Sequence, residues 1–161
     1  MIRIATNTDC KGIIILIGAV YAEYGDRVCL DEGGAEAELQ DVEANYRGRG
    51  GDFWVLDLDG KILGTHAALP DKSDPAVCGF RRLYLDESLR GETDWGHQLM
   101  QVTIDWARDN GFQRVQFWSD TRFERAHRFF AKFGFQPDGR KREMLDSHEP
   151  YSEYFFNLEL F

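Results

Sequence analysis

Hydrophobic residues between Phe53 and Leu69 fall in two stretches, Phe53–Leu58 and Lys61–Leu69, separated by Asp59-Gly60. An Asp-Gly pair takes the left-handed dihedrals of a tight two-residue turn, so the segment reads as a strand, a turn and a strand. Upstream, Met1–Ala5 is a short strand. A helix capped by Thr8 or Asp9 then runs through the isoleucine-rich stretch towards Tyr24. Asp26–Gly34 is loop-like, and Ala35, Leu39, Val42 and Tyr46 share one face of a second helix that Gly48–Gly51 ends. Downstream, Pro70–Pro75 is a turn and Val77–Leu85 a strand. Trp95, Leu99, Val102 and Trp106 form a helical stripe closed by Asn110-Gly111. Val115–Trp118 is a short buried strand. Phe123, Ala126, Phe130 and Phe133 mark another helix, capped by Asp120 or Thr121 and ended by Gly134. Phe135 begins the next strand, and Glu153–Leu160 is the last. The order β-α-α-β-β-β-α-β-α-β-β predicts one α/β domain over residues 1–161, its sheet mixing hairpins with crossover connections.

Composition narrows the function. With 43% hydrophobic and 14% aromatic residues in 161, the chain has enough apolar surface for one core, and nothing in it calls for disorder. A formal net charge of −9 argues against nucleic acid, whose binding needs a basic surface. It either steers a cationic small substrate or serves solubility alone. Cys10, Cys29 and Cys78 are odd in number and widely spaced, which fits a reducing compartment better than a disulfide framework. His66, His97, His127 and His148 lack the H-E-x-x-H spacing, so no metal is implied. The run Ile13–Val20 is too short to span a bilayer and lacks the flanks of a signal peptide. The expectation is a cytoplasmic protein with no membrane segment.

The segment Arg81–Met100 carries the chemistry: a strand, then L-R-G-E-T-D-W-G, then an amphipathic helix. A helix N-terminus offers unpaired N–H groups and the positive end of its dipole. Glycines let backbone close on an anion, and an arginine adds charge-assisted hydrogen bonds. Strand, Arg-Gly loop and helix together read as a pyrophosphate cradle, against the plainer reading of a turn before a helix.

This arrangement resembles the GNAT family of N-acetyltransferases, in particular its small bacterial members. The resemblance covers nearly the whole chain. It runs through F-W-V-L-D-L-D-G-K-I-L-G-T, R-R-L-Y-L-D-E-S-L-R-G, W-A-R-D-N-G-F-Q-R-V-Q-F-W and A-H-R-F-F-A-K-F-G-F. It implies a mixed, mostly antiparallel central sheet flanked by helices, with acetyl-CoA as co-substrate. Carried over, the pyrophosphate cradle is Arg90, Gly91, Glu92, Thr93, Asp94, Trp95, Gly96 and His97. The pantetheine arm lies along Leu83, Tyr84 and Leu85, with Phe123 and Phe130 also on the cofactor side. The sequence departs from the family's Q/R-x-x-G-x-G/A pattern. Counting back from Gly96 places Gly91 at the arginine position and Asp94 at the central glycine; alternatively Arg90 keeps its role and the loop is one residue longer. Asp94 and Glu92 bring negative charge towards the pyrophosphate.

The resemblance also implies direct transfer of the acetyl group to an amine of a small molecule or peptide. Such an amine must lose a proton before it attacks, because its pKa is near lysine's, roughly 10.4. A backbone N–H of Leu83–Leu85 is the candidate oxyanion donor. The family's usual acid is a tyrosine four residues before the Gly134-Phe135 pair, where this chain has Phe130. Its usual strand glutamate is replaced by Gly79. The remaining candidates are Glu153, Tyr84 and His127, each with a plainer reading as a strand-edge, packing or helix-surface residue. Glu43 and Tyr46 lie on the helix that walls the acceptor site, where amphipathicity alone also explains them. His66 reads as a hairpin residue with no chemical role. The loss of both usual proton carriers supports a second reading, a catalytically weak domain that binds acyl-CoA as a sensor or partner module. Phe155, Phe156 and Phe161 suit either a homodimer contact or a buried strand.

Overall fold

The computed structural model describes residues 1–91, 93–145 and 148–161. Seven strands form one sheet in the order β1-β2-β3-β4-β5-β7-β6. They are β1 (Ile2–Ile4), β2 (Asp52–Leu58), β3 (Lys61–Pro70), β4 (Val77–Leu85), β5 (Arg114–Asp120), β6 (Gln136–Met144) and β7 (Tyr151–Glu159). All neighbours are antiparallel except β4 and β5. The β2–β3 turn is Asp59-Gly60, with φ of 54° and 83°, as its sequence demands.

Alternation along the strands sorts side chains onto two faces. Phe53, Val55, Ala67 and Leu69 join Ile13 and Ile17 of helix α1 (Cys10–Ala22) in one core. Trp54, Ala68, Cys78 and Phe80 join Met100 and Ile104 of helix α3 (Trp95–Asp109) in the other. Helix α4 (Glu124–Lys132) completes that second layer, setting Phe130 against Phe117, Phe135 and Phe156.

Three expectations change. The predicted second helix is broken into a 3-10 turn (Ala37–Gln40), a short helix α2 (Val42–Asn45) and a second 3-10 turn (Arg47–Arg49). Asp41 causes the break: at φ −150° it leaves the helix and caps α2, its Oδ1 accepting from Ala44 N. Leu39, Val42 and Tyr46 stay buried because 3-10 and α turns both return a side chain to the same face every three or four residues. Neither Asp120 nor Thr121 caps α4. Its N-cap position is Phe123, while the Asp120 carboxylate takes the Arg122 backbone N–H and guanidinium. Asp9 precedes α1 but turns its carboxylate to Arg3 and to Thr6 N.

Phe155 and Phe156 are buried within the chain, so of the three terminal aromatic residues only Phe161 is exposed. No helix among the described residues is long and apolar enough to cross a membrane.

Candidate active site

Strands β4 and β5 pair only at Val77↔Arg114, Cys78↔Val115 and Gly79↔Gln116. There the backbones run so close that a Cβ on Gly79 would sit 3.2 Å from the Gln116 carbonyl oxygen. Beyond this point the strands part. From Phe80 onward β4 keeps a strand partner on the β3 side alone, and a cleft of about 540 Å³ opens towards α1 and the 35–40 segment. Leu83, Tyr84, Phe123 and Phe130, four of the residues expected near the cofactor, line it. Leu85 lies behind, its side chain packed near Gly64 and Gly96.

A bulge shapes one end of the cleft. Thr65 pairs with Tyr84 and Ala67 with Arg81, so His66 alone faces two residues of β4, Arg82 and Leu83. Arg82 takes φ of 63°, unusual for a residue with a side chain, and its carbonyl accepts from Thr65 Oγ1 at 2.8 Å. The extra residue breaks the alternation and leaves Arg81 and Arg82 on the same face, where both reach Glu38. Arg82 is the buried member. It donates to Glu38 Oε1 at 2.9 Å and to the Ala35 carbonyl, and its guanidinium lies 3.5 Å from Glu36 Oε2. Burial pushes the Glu38 carboxyl upward, but the charges of Arg82 and Arg81 prevail and hold it below the usual carboxylate range.

Glu36 exposes 2% of its side chain and accepts from Cys29 N (2.8 Å) and from the Tyr21 hydroxyl (3.2 Å). The Tyr21 hydroxyl is in turn 3.2 Å from that of Tyr84. A hydrogen-bonded chain Tyr84–Tyr21–Glu36 therefore runs along the cleft wall. Burial raises both phenols above their ordinary values, so both stay protonated.

At the other end, Trp95, Gly96 and His97 open α3, and the first helical bond is Gln98 N to the Asp94 carbonyl. Their three N–H groups have no acceptor among the described residues, and the Asp94 side chain does not cap them. Gly91 takes φ of 85°. Gly96 leaves ordinary space beside Leu85 and Phe129, about 3.8 Å from where a Cβ would stand. These backbone groups fit a pyrophosphate. The arginine does not point to it: Arg90 Nη1 and Nη2 donate to Glu23 at 2.6 and 2.7 Å, and Nε donates to the Leu85 carbonyl. Thr93 donates its hydroxyl to the Leu89 carbonyl. Glu92 lies outside the described residues.

Of the predicted proton carriers, Tyr84 and Glu153 line the cleft. Glu153 faces Asp120 across the β5–β7 ladder and pairs with Arg142 at 2.7 Å. His127 does not line it; Nε2 lies 3.1 Å from Ser119 Oγ, and the ring packs on Phe156 and Tyr154. Glu43 accepts from Asn7 N at 2.7 Å, and buried Tyr46 donates to Glu38 Oε1 at 2.6 Å, so both support the wall from behind. Sequence reasoning missed Glu36, Glu38, Tyr21 and Arg82. The available signal was the Arg81-Arg82 pair inside an otherwise apolar strand, which needs buried acids to receive it. His66 is structural: its Nδ1 is 2.8 Å from Thr103 Oγ1, bridging β3 to α3. Among the described residues no group of three or more His, Cys, Asp or Glu is placed to hold a metal ion.

Comparison with known proteins agrees with this architecture. Residues 20–135 match the family profile described as acetyltransferase (GNAT) family. An uncharacterized N-acetyltransferase of Escherichia coli, YjgM, is 25% identical over 139 residues, 84% of this chain and 81% of that protein. A rat protein, N-acetyltransferase family 8 member 2, is 29% identical over 107 residues, 65% of this chain and 47% of its own length. The matched region thus spans about half the length of the rat relative. A Staphylococcus aureus acetyltransferase of the GNAT family shares the fold with a TM-score of 0.84 at 18% identity, covering 100% of this chain and 99% of that one. A Salmonella typhimurium structure, of yncA with its cofactor acetyl-CoA, shares it at 0.75 and 17% identity, over 100% of this chain and 94% of the other.

Proposed function

Because the chain belongs to the acetyltransferase (GNAT) family, we propose that it moves an acetyl group from acetyl-CoA to an amine held in the cleft, by direct attack. The observation that carries this reading is the parting of β4 from β5 after Gly79, which leaves β4 backbone groups beside a cleft that ends on buried carboxylates. When bound, acetyl-CoA supplies a thioester. Trp95, Gly96 and His97 N–H groups would hold its pyrophosphate, and the Leu83–Leu85 backbone its pantetheine arm. A backbone N–H of the same strand would stabilise the oxyanion.

The acceptor amine's proton leaves through Tyr84 and Tyr21 to Glu36. Each phenol hands on one proton as it receives another, so neither has to ionise and their raised pKa values are no obstacle. Glu153, on the opposite wall with Arg142, orients the acceptor. Phe130 gives no proton to the leaving sulfur, and a thiol pKa of roughly 8.5 makes such a donor dispensable. His127, hydrogen-bonded away from the cleft, takes no part in this route. The three cysteines are buried free thiols, in keeping with a reducing, cytoplasmic setting.

A second reading, an acyl-CoA-binding domain with little turnover, is favoured by one observation: Arg90 is held by Glu23 rather than offered to the phosphates. Two measurements separate the readings. Acetyl-CoA should raise the melting temperature by several degrees at saturation, and thiol release in the presence of an acceptor amine should follow. A shift without release favours the second reading, and no shift at all removes both.

A further inference from the structure

The cleft departs from the charge of the rest of the molecule. The chain carries a formal −9, yet six basic and six acidic side chains line the cleft. They are not equivalent. Asp26, Glu36, Glu38, Asp120 and Glu153 expose between 2% and 18% of their side chains, and each is met by an arginine. The sixth acid, Asp71, spends one oxygen on Ser73 and on Asp74 N. Apart from Arg82, which exposes 11%, the cations are the reverse. Arg81, Arg122 and Arg142 expose 49%, 35% and 43%, and an arginine has five N–H donors, more than one carboxylate can take. Arg49 and Lys72 are exposed and have no ion-pair partner among the described residues.

Three of these cations gather at one end. Arg49 closes the 3-10 turn beside Pro70, against which the neighbouring Gly50 packs. Lys72 follows Pro70 in the β3–β4 turn. Arg81 pairs with Ala67 across the same two strands and reaches Glu38 only at 3.3–3.5 Å. What a ligand meets at this end is net positive: three cations stand against one exposed acid, Asp71, while Glu38 is withdrawn and already engaged by Arg82.

On the transferase reading above, we infer that the acceptor is an amine that also bears an anionic group of the carboxylate type, held by Arg49, Lys72 and Arg81 while its amine faces the Tyr84–Tyr21–Glu36 wall. Of the two readings of the acidic composition, this one leaves solubility rather than the steering of a cationic substrate. The long-range field and the local site have opposite signs, and only the local one sets which acceptor fits.

The test is a series in which the amine stays on the same carbon while carboxylates are removed: glutamate, 4-aminobutyrate and butylamine. Coenzyme A release is followed with each at fixed pH and ionic strength. The expected result is a fall in kcat/KM of at least tenfold from glutamate to butylamine. Arg49→Gln and Arg81→Gln should each narrow that ratio severalfold, and added salt should narrow it in the wild type. Butylamine used as well as glutamate overturns the inference. So does a ratio that neither variant changes, or no turnover with any of the three while acetyl-CoA still raises the melting temperature. If acetyl-CoA causes no such rise, the transferase reading itself falls, so the two failures are distinguishable.

Discussion

Protonating His66 is far harder in the folded protein than in the unfolded chain. The ring exposes 1% of its surface, sits edge-on to Phe80, and has its Nδ1 engaged by Thr103. Burial lowers its pKa from 6.5 to about 4, although the hydrogen bond to the Leu99 carbonyl opposes this. Above pH 6.5 the ring is neutral in both states and carries no penalty. Below it the unfolded chain binds the proton and the folded protein does not, so stability falls until the folded ring also protonates near pH 4. Each pH unit in that window is worth 1.36 kcal/mol, which gives about 3 kcal/mol in all. Urea melts of wild type and His66→Gln between pH 7.5 and 4 isolate the effect, because the other titrating groups are common to both. The wild type should lose about 3 kcal/mol more than the variant on acidification. Parallel stability curves would show that the ring is not the buried, neutral bridge described above.

Three further outcomes follow from the geometry. Tyr21→Phe interrupts the Tyr84–Tyr21–Glu36 chain and should lower kcat roughly a hundredfold with little change in the KM for acetyl-CoA; a kcat within threefold of wild type would reject the route. Glu23→Gln frees the Arg90 guanidinium and should tighten acetyl-CoA binding severalfold by calorimetry, whereas weaker binding would mean that Glu23 holds Arg90 where the ligand needs it. Gly64→Ala places a methyl 2.9 Å from Leu99 Cδ1 and 3.1 Å from Leu56 Cβ; the overpacking should cost about 1–3 kcal/mol, visible as a drop of several degrees in Tm, and an unchanged Tm would refute it.

Much of the scaffold is legible in the chain because its signals are local. Asp59-Gly60 names its own turn, and the stripes of α3 and α4 follow helical spacing. The second helix misled for an equally local reason. Asp41 both interrupts and caps, and apolar spacing does not reveal which. Leu83, Tyr84, Phe123 and Phe130, named from the sequence, do reach the cleft. The acid-rich wall was not legible. Glu36 and Glu38 fall in a stretch with no motif, and they meet Arg82 only because that residue takes a positive φ. Nothing in the identity of an arginine announces that dihedral. Arg90 shows the complementary failure, a residue of the right type in the right loop whose partner, Glu23, is 67 residues away in sequence.

The extra residue in β4 makes the strand a counting device. Up to Phe80, even-numbered positions face α3; past Arg82 the odd ones do, with Leu83 on the α3 side and Tyr84 on the α1 side. Excising Arg82 would restore a regular ladder in which Tyr84 still pairs with Thr65 and keeps its face towards Tyr21, but no guanidinium would remain beside Glu36. A one-residue deletion past the bulge, at Tyr84, would instead set Leu85 opposite Thr65 and turn the positions beyond it to the opposite face. Length changes in the nearby turn at 71–76, by contrast, leave the phase intact. In this fold the tolerance of β4 to indels is therefore a matter of place, and a one-residue gap in an alignment means a different cleft or the same one according to the side of Arg82 on which it is drawn.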